Sequence, residues 1–145
     1  MGYTVPTPIQ DAVIRLLREG RDVVGQAQTG TGKTSAFGIP LVEMSDPSSR
    51  EVQGLVLVPT RELAMQVAGE LTSLGRHRGI RIAAIFGGQQ MRHQLDALDA
   101  GVHVVVATPG RLMDHMSRRT LDLGNIRAAV LDEADQMLDI GFAED

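Results

Sequence analysis

The amino-acid sequence predicts an α/β domain built around a mainly parallel sheet with helices on both faces. Along the 145 residues, short runs that are apolar throughout alternate with stretches in which apolar residues recur at helical spacing. Strands that are buried on both sides read as such continuous runs. Clusters rich in Gly, Thr, Arg or Asp directly follow five of these runs. Because sheets of this class bind ligands at the carboxyl ends of their strands, the clusters predict a ligand site at that edge.

The individual elements follow from residue spacing and from signals at helix ends. Thr7 is the predicted N-cap and Pro8 the first residue of a helix that ends at Gly20. A later helix carries Leu63, Leu71 and other apolar residues on one face. In chain order the sequence predicts a helix over 7–20, a strand over 22–27, a helix over about 32–44, a loop over 46–50, a strand over 55–58, a helix over 61–74, a strand over 80–86, a helix over 90–98, a strand over 102–107, a helix over 110–116 and a strand over 128–131.

Composition and charge exclude several classes of function. The chain has no cysteine, which excludes disulfides, thiolate metal sites and cysteine nucleophiles. Its formal net charge is −4, so any surface that binds phosphate groups must be a local patch. Aromatic residues make up only 3% of the chain, too few for a protein that grips nucleic acid by stacking many bases. With no long apolar run and no secretion signal, a cytoplasmic protein without a membrane partner is expected.

Residues 27–34 form a glycine-rich turn between a predicted strand and a predicted helix. They fit the phosphate-binding pattern G-x-x-x-x-G-K-[ST] except that Ala27 replaces the first glycine. Such a turn aims backbone N–H groups and the positive end of the helix at a phosphate. Lys33, the only lysine of the chain, would pair with the β- and γ-phosphates, and Thr34 would hold Mg²⁺. The alternatives are a flexible connector or a dinucleotide-binding loop, which needs a glycine where Ser35 stands.

An acidic cluster, Asp132-Glu133-Ala134-Asp135, follows the last apolar run. An aspartate at the end of a buried strand is the usual second holder of Mg²⁺ in phosphate-loop enzymes, and Asp132 fits that position. Glu133 is the candidate general base for the attacking water. The alternative is a helix N-terminus that carries acidic residues, which is common. The phosphate loop about a hundred residues earlier in the same chain favours the catalytic interpretation.

Taken together, these motifs resemble the first RecA-like domain of DEAD-box ATP-dependent RNA helicases. The acidic cluster spells DEAD, and the family's other motifs occur in the family's order. They are a Q motif at 2–10, motif Ia at 59–64, a GG motif at 87–88 and motif Ib at 108–111. The resemblance covers essentially the whole chain. It implies a RecA-like P-loop NTPase fold, which is a three-layer α/β/α sandwich with a mainly parallel sheet.

The resemblance also implies an ATP site with Mg²⁺ as cofactor. A glutamine at position 10 would recognise adenine, since its amide can both donate to and accept from the base edge; the alternative is a solvated residue in the first turns of a helix. The implied catalytic residues are Glu133, Asp132 and Lys33. The implied Mg²⁺ ligands are Thr34 and Asp132. The residues implied in ATP binding are Tyr3, Pro8, Gln10, Ala27, Gln28, Thr29, Gly30, Thr31, Gly32, Lys33, Thr34 and Ser35.

RNA is the partner that the resemblance implies. Backbone N–H groups, hydroxyls and arginines at strand ends suit phosphate oxygens, so recognition through phosphates and 2′-OH groups, largely independent of sequence, is expected. Ordinary turn and capping chemistry is the alternative for any single one of these residues. The implied RNA-binding residues are Pro59, Thr60, Arg61, Gly87, Gly88, Thr108, Pro109, Gly110 and Arg111. The implied activity couples ATP hydrolysis to the unwinding of RNA duplexes or the remodelling of RNA–protein complexes.

Departures from the family's pattern predict a fragment. The aromatic residue that precedes the Q motif and the Ser-Ala-Thr motif III do not occur, so residues 1–145 are expected to be a RecA-like domain incomplete at both ends. The second RecA-like domain, an expected partner in the parent chain, is absent. In such sheets the strand before motif III lies between the phosphate-loop strand and the DEAD strand, so a central gap is expected. A monomer that is nearly inactive in isolation is predicted.

Two other functions remain open from the sequence. One is a non-catalytic module that binds nucleotide or a partner protein without turnover. The other is a phosphate-loop ATPase that acts on DNA or protein. Gln10 and the terminal Asp135 of the acidic cluster argue against the second, because DNA-directed relatives more often end that motif differently.

Overall fold

The computed structural model describes residues 22–27 and 31–132. Its strands are β1 (Asp22–Ala27), β2 (Gly54–Leu57), β3 (Ile82–Ile85), β4 (Val104–Ala107) and β5 (Ala128–Asp132). Its helices are α1 (Thr31–Met44), α2 (Arg61–Gly75), α3 (Met91–Ala100) and α4 (Pro109–Ser117), and a 3₁₀ helix (Arg76–Arg78) follows α2. The elements predicted from residue 22 onward are confirmed in type and order. The predicted helix over 7–20 lies outside the described residues.

The strands form one parallel sheet in the order β1-β5-β2-β4-β3. Residues of β2 pair with β4 on one side and with β5 on the other, so that Leu55 lies between Val105 and Ala129. All the pairs are parallel, which places every carboxyl end at one edge of the sheet. The predicted parallel sheet is therefore confirmed.

The sheet has no gap between β1 and β5, so the expected opening there is wrong for this structure. The two strands pair directly, with Asp22 opposite Ala128 and Val24 opposite Val130. The register shifts after Val24, and Ala27 lies opposite Asp132. The physical reason is that two neighbouring apolar strands satisfy each other's backbone N–H and C=O groups, which an opening in a buried sheet would leave unpaired.

Helices cover both faces of the sheet, as predicted. Side chains alternate between faces along each strand, so Leu55 and Leu57 belong to one apolar cluster while Val56 and Val58 belong to the other. Helices α1 and α2 cover the second cluster. Their buried residues in it include Phe37, Leu41, Val67 and Leu71. Helices α3 and α4 cover the first, chiefly with Leu98, Leu112 and Met113.

Arginines bind the helix ends at the amino edge of the sheet. Arg78 and Arg127 donate to the carbonyl oxygens of Glu43 and Met44, at the end of α1, over 3.2 and 3.1 Å. Arg50 and Arg81 likewise donate to the carbonyl oxygens of Asp99 and Gly101, at the end of α3. The last carbonyls of a helix lack partners within it and carry partial negative charge. Four arginines of the described residues therefore contribute to the fold by binding helix ends.

Candidate functional site

Three segments that were predicted to contact RNA lie side by side at the carboxyl edge of the sheet. They follow β2, β3 and β4, which are neighbours in the order β2-β4-β3. Backbone hydrogen bonds continue the sheet into these segments. The Val58 N–H donates to the Ala107 carbonyl and the Thr108 N–H to the Ile85 carbonyl, both over 3.0 Å. The predicted motifs Ia, GG and Ib therefore form one continuous edge.

Thr60 begins α2 as its N-cap. Its backbone is extended, with φ −132° and ψ 156°, and its Oγ1 accepts a hydrogen bond from the Leu63 N–H. The capping role weighed as the alternative for such residues is thus observed here. A capping hydroxyl still has its own hydrogen to donate, so Thr60 keeps the capacity to bind a phosphate oxygen.

Arg61 and Gly88 lie against each other across the gap between two of these segments. A Cβ atom added to Gly88 would lie 2.8 Å from Arg61 Nη1. Gly88 also has a φ of +90°, a conformation that residues with a side chain rarely adopt. The Arg61 side chain is 58% exposed and lies 3.5 Å from the Glu62 carboxylate, so its guanidinium is available to an anion. The backbone conformation therefore favours glycine at position 88, and a side chain there would also displace the Arg61 guanidinium.

The N-terminus of α4 is open to solvent. Thr108 is its N-cap, but the hydroxyl makes no capping hydrogen bond, and Pro109 occupies the first turn. Gly110 is exposed, and no atom lies within 4 Å of the place where its Cβ would stand. The first N–H groups of a helix have no partner within it and favour anions. This geometry suits a phosphate oxygen.

The side chain of Arg111, another predicted RNA ligand, is only 16% exposed. Its Nη1 donates to the Gln89 carbonyl and to Gln94 Oε1, each over 3.2 Å. Its Nε lies 3.9 Å from the Asp114 carboxylate. In this structure Arg111 therefore holds the segment after β3 rather than reaching into solvent.

Two buried polar residues complete this arrangement and were missed by the sequence predictions. Gln94 on α3 is 1% exposed and His115 on α4 is fully buried. His115 Nε2 lies 2.8 Å from Gln94 Oε1. Both residues interrupt an otherwise apolar helix face, which is the one signal that the sequence carried for them. A lone glutamine or histidine on such a face does not show what it contacts.

The ionisation states around Arg111 follow from burial and charge. Burial lowers the pKa of His115 below its ordinary value, and the nearby Arg111 guanidinium lowers it further. The hydrogen bond from Arg118, over 2.9 Å, holds the pKa of the Asp114 carboxyl below its usual range. At neutral pH the site thus contains a neutral imidazole and an ionised carboxylate.

The predicted nucleotide residues are described in part. Strand β1 ends at Ala27 and α1 begins at Thr31, so a strand precedes and a helix follows the predicted phosphate loop, whose residues 28–30 lie outside the described ones. Thr34, in the first turns of α1, is 2% exposed. Ala27 at the end of β1 pairs with Asp132 at the end of β5, so the phosphate-loop strand and the DEAD strand end side by side. Predicted residues that lie outside the described ones are Tyr3, Pro8, Gln10, Gln28, Thr29, Gly30 and Glu133.

The chemistry of these donors fits Mg²⁺. Mg²⁺ usually takes one or two protein oxygens, several waters and substrate phosphates, rather than an all-protein cage. One hydroxyl at Thr34 and one carboxylate at Asp132 meet that need. Among the residues that the structure describes, no group of three or more His, Cys, Asp or Glu could hold a metal by itself. Within the same residues, no helix has the length and apolar character needed to cross a membrane.

Comparison with curated proteins shows that the chain is similar to bacterial helicases. It is 52% identical over its whole length to the DEAD-box ATP-dependent RNA helicase CshA of Bacillus cereus, of which it covers 28%. It is 50% identical, again over its whole length, to the protein of the same name from Bacillus subtilis, of which it covers 29%. The chain thus spans less than a third of the length of these relatives.

Comparison with solved structures agrees. The crystal structure of a DEAD box protein from the hyperthermophile Methanococcus jannaschii matches with a TM-score of 0.77 and 46% identity, over 96% of this chain and 38% of that one. A hypothetical ATP-dependent RNA helicase from Sulfolobus tokodaii matches with a TM-score of 0.73 and 38% identity, over 99% of this chain and 41% of that one. The predicted RecA-like α/β fold is confirmed. A family model described as DEAD/DEAH box helicase matches residues 7–145, and the chain therefore belongs to the DEAD/DEAH box helicase family.

Proposed function

We propose that this chain is the ATP- and RNA-binding RecA-like domain of an ATP-dependent RNA helicase. The observation that carries the proposal is the pairing of Ala27 with Asp132. This pairing joins the end of the phosphate-loop strand to the start of the acidic cluster. Family membership and the continuous edge formed by motifs Ia, GG and Ib support the same conclusion.

In the proposed nucleotide site, each residue type has a separate task. The glycine-rich turn and the first turn of α1 bind the phosphates through backbone N–H groups. Lys33 pairs with the β- and γ-phosphates, and Gln10 recognises the adenine edge. Thr34 and Asp132 hold Mg²⁺, which supplies charge stabilisation on the transferred phosphoryl group when bound. Glu133 orients the attacking water and accepts its proton.

In the proposed RNA site, the strand-end segments bind the backbone of one strand. Arg61 and the open N-terminus of α4 face phosphate oxygens, while the exposed glycines at 87 and 88 let the ribose and phosphate groups approach the backbone closely. Such contacts carry no sequence information. RNA is therefore bound largely irrespective of its sequence, and the 2′-OH groups separate it from DNA.

The parent protein is proposed to supply a second RecA-like domain. The chain covers 28% of its Bacillus cereus relative, which leaves ample length for such a domain. Residues 1–145 are then one incomplete RecA-like domain of a longer polypeptide. A monomeric, cytoplasmic protein stays a prediction from the sequence.

Two substitutions in the full-length parent test the nucleotide site. Glu133→Gln should retain ATP affinity and lose RNA-stimulated hydrolysis by about 10²–10⁴-fold, the usual contribution of a general base. Lys33→Ala should instead weaken ATP binding in calorimetry, because a phosphate-facing cation is lost. Glu51→Gln, at an exposed position before β2, is the matched control and should change neither quantity. Normal hydrolysis by Glu133→Gln would overturn the assignment of the acidic cluster.

A further inference from the structure

We propose that Gln94 and His115 are positioning residues for RNA binding, which fix the segment over 86–89 and the Arg111 side chain in one arrangement at the carboxyl edge of the sheet. The proposal rests on the proposed RNA-binding function of that edge. It concerns two residues that do not face RNA themselves and act through the groups they hold.

Gln94 holds both ends of the segment over 86–89. Its Nε2 donates to the Phe86 carbonyl over 2.9 Å and to Gln89 Oε1 over 2.7 Å. Its Oε1 accepts from Arg111 Nη1 over 3.2 Å and from His115 Nε2 over 2.8 Å. A primary amide has two donor hydrogens and two acceptor lone pairs, so its whole capacity is used. Only one orientation of the amide satisfies all four partners.

His115 is fixed in one tautomer by its two neighbours. Gln94 Oε1 can only accept, so His115 Nε2 carries the hydrogen of that bond. Its Nδ1 lies 2.8 Å from the Thr120 hydroxyl oxygen, which also lies 3.1 Å from the His115 carbonyl, so the one hydroxyl hydrogen is shared between these two acceptors. Thr120 lies beyond the end of α4, so the network joins the segment after β3, α3, α4 and the turn that follows α4. The side chains of Gln94 and His115, at the centre of this network, are buried. In the interior, hydrogen bonds are strong and a missing partner is costly.

The glycines at 87 and 88 explain why such a network is needed. Glycine has the greatest conformational freedom of any residue. Two glycines in succession therefore do not restrict the backbone to the one conformation that binds RNA. Arg61 contacts Gly88 from one side, while Arg111 and Gln94 hold Gln89 from the other. A segment that is already fixed loses less entropy on binding, which raises affinity. The network thus prepares the glycines for the RNA backbone.

Simple core filling would not need these residue types. A methionine or leucine at position 94 would occupy similar volume without a polar group to satisfy. Buried polar groups are retained where they specify a geometry, although this is not a general rule. Here Gln94 bonds the segment that carries the glycines and Arg111, and His115 bonds Gln94.

The test uses the full-length parent, with ATP hydrolysis measured against RNA concentration. Gln94→Met should raise the RNA concentration for half-maximal stimulation about tenfold, the factor expected when a buried positioning hydrogen bond is lost. The affinity for ATP without RNA should stay the same. Gln66→Met, the same substitution at an exposed position on α2, is the control and should not change the RNA dependence.

A second pair of variants separates positioning from stability. His115→Gln, whose amide can still donate to Gln94 Oε1, should bind RNA nearly as the wild type does, whereas His115→Leu should weaken RNA binding as Gln94→Met does. Unchanged RNA dependence in Gln94→Met and His115→Leu would overturn the proposal. So would equal losses of ATP and RNA affinity together with a lowered unfolding temperature, because these indicate a purely structural role. A wild-type parent that neither binds RNA nor responds to it would instead overturn the proposed function.

Discussion

The most informative residues of the carboxyl edge are those whose partners come from distant parts of the chain. Arg61, Thr108 and the glycines at 87 and 88 could be predicted from the sequence, because a family motif marks each of them. Gln94 and His115 could not, since no spacing links a glutamine on α3 to a histidine on α4 that is 21 residues away. Their role exists only once the two helices cover the same face of the sheet.

The buried imidazole makes stability depend on pH. Because the pKa of His115 is lowered in the folded protein, folding favours the neutral ring, and the unfolded chain takes up a proton first as pH falls. The stabilising contribution is therefore present above the unfolded pKa of about 6.5 and is lost as pH falls from there through the lower folded pKa. We expect the free energy of unfolding to fall between pH 7.5 and 5.5 in the wild type.

His115→Gln removes this titration and should flatten the pH dependence over that interval. The other charged groups close to the ring, Arg111, Asp114 and Arg118, are retained in the variant, and the two carboxylates with lowered pKa, Asp46 and Asp114, titrate at lower pH. Denaturant unfolding at several pH values measures the difference. Equal slopes for the two proteins would show that folding does not lower the pKa of His115.

At the scale of whole elements, the order and type of the helices and strands from residue 22 onward were predictable because each has a local pattern. The pairing between elements had no such pattern. The resemblance to the helicase family led us to expect a gap between β1 and β5, yet these strands pair directly. Strand pairing depends on which apolar edges meet in space, and Asp22 and Ala128 are far apart in the chain. For the same reason, the approach of Arg61 to Gly88 could not be predicted from the sequence.

Helices α1 and α2 approach each other closely at Gly38. A Cβ atom there would lie 2.6 Å from Leu71 Cδ2 and 2.8 Å from Leu74 Cδ1. Gly38→Ala should lower the free energy of unfolding by about 1–3 kcal/mol, the usual cost of overpacking a well-filled core. Urea unfolding measures this change.

The matched control lies on the second of these helices. Gly69 is exposed, and no atom lies within 4 Å of its would-be Cβ. Gly69→Ala should therefore raise the free energy of unfolding by about 0.5–1 kcal/mol, since alanine loses less backbone entropy in a helix. A stabilising effect of Gly38→Ala as large as that of Gly69→Ala would mean that the two helices are not closely packed at this point.

For the whole molecule, the parallel sheet explains how motifs spread over the chain form one edge. The net charge is −4, and Arg50, Arg78 and Arg127 bind helix ends at the amino edge, so the proposed RNA site is a local one at the carboxyl edge. Since the chain covers 28% of its Bacillus cereus relative, we expect ATP hydrolysis to need the rest of the parent. In the family the transition state forms between two RecA-like domains, and an arginine supplied to such a site is worth about 10³–10⁵ in rate.

Steady-state ATP hydrolysis with and without RNA tests the central claim, that this chain is the ATP- and RNA-binding domain of an RNA-dependent ATPase. The full-length parent should hydrolyse ATP much faster when RNA is added. The isolated 145-residue chain should hydrolyse ATP slowly and respond little to RNA. The reason is that the isolated chain offers only half of the RNA-binding surface, so RNA cannot drive closure around the nucleotide. A parent whose rate is the same with and without RNA would contradict the claim. RNA-stimulated turnover near about 1 s⁻¹ by the isolated chain, at the lower end for ordinary enzymes, would contradict the need for a second domain.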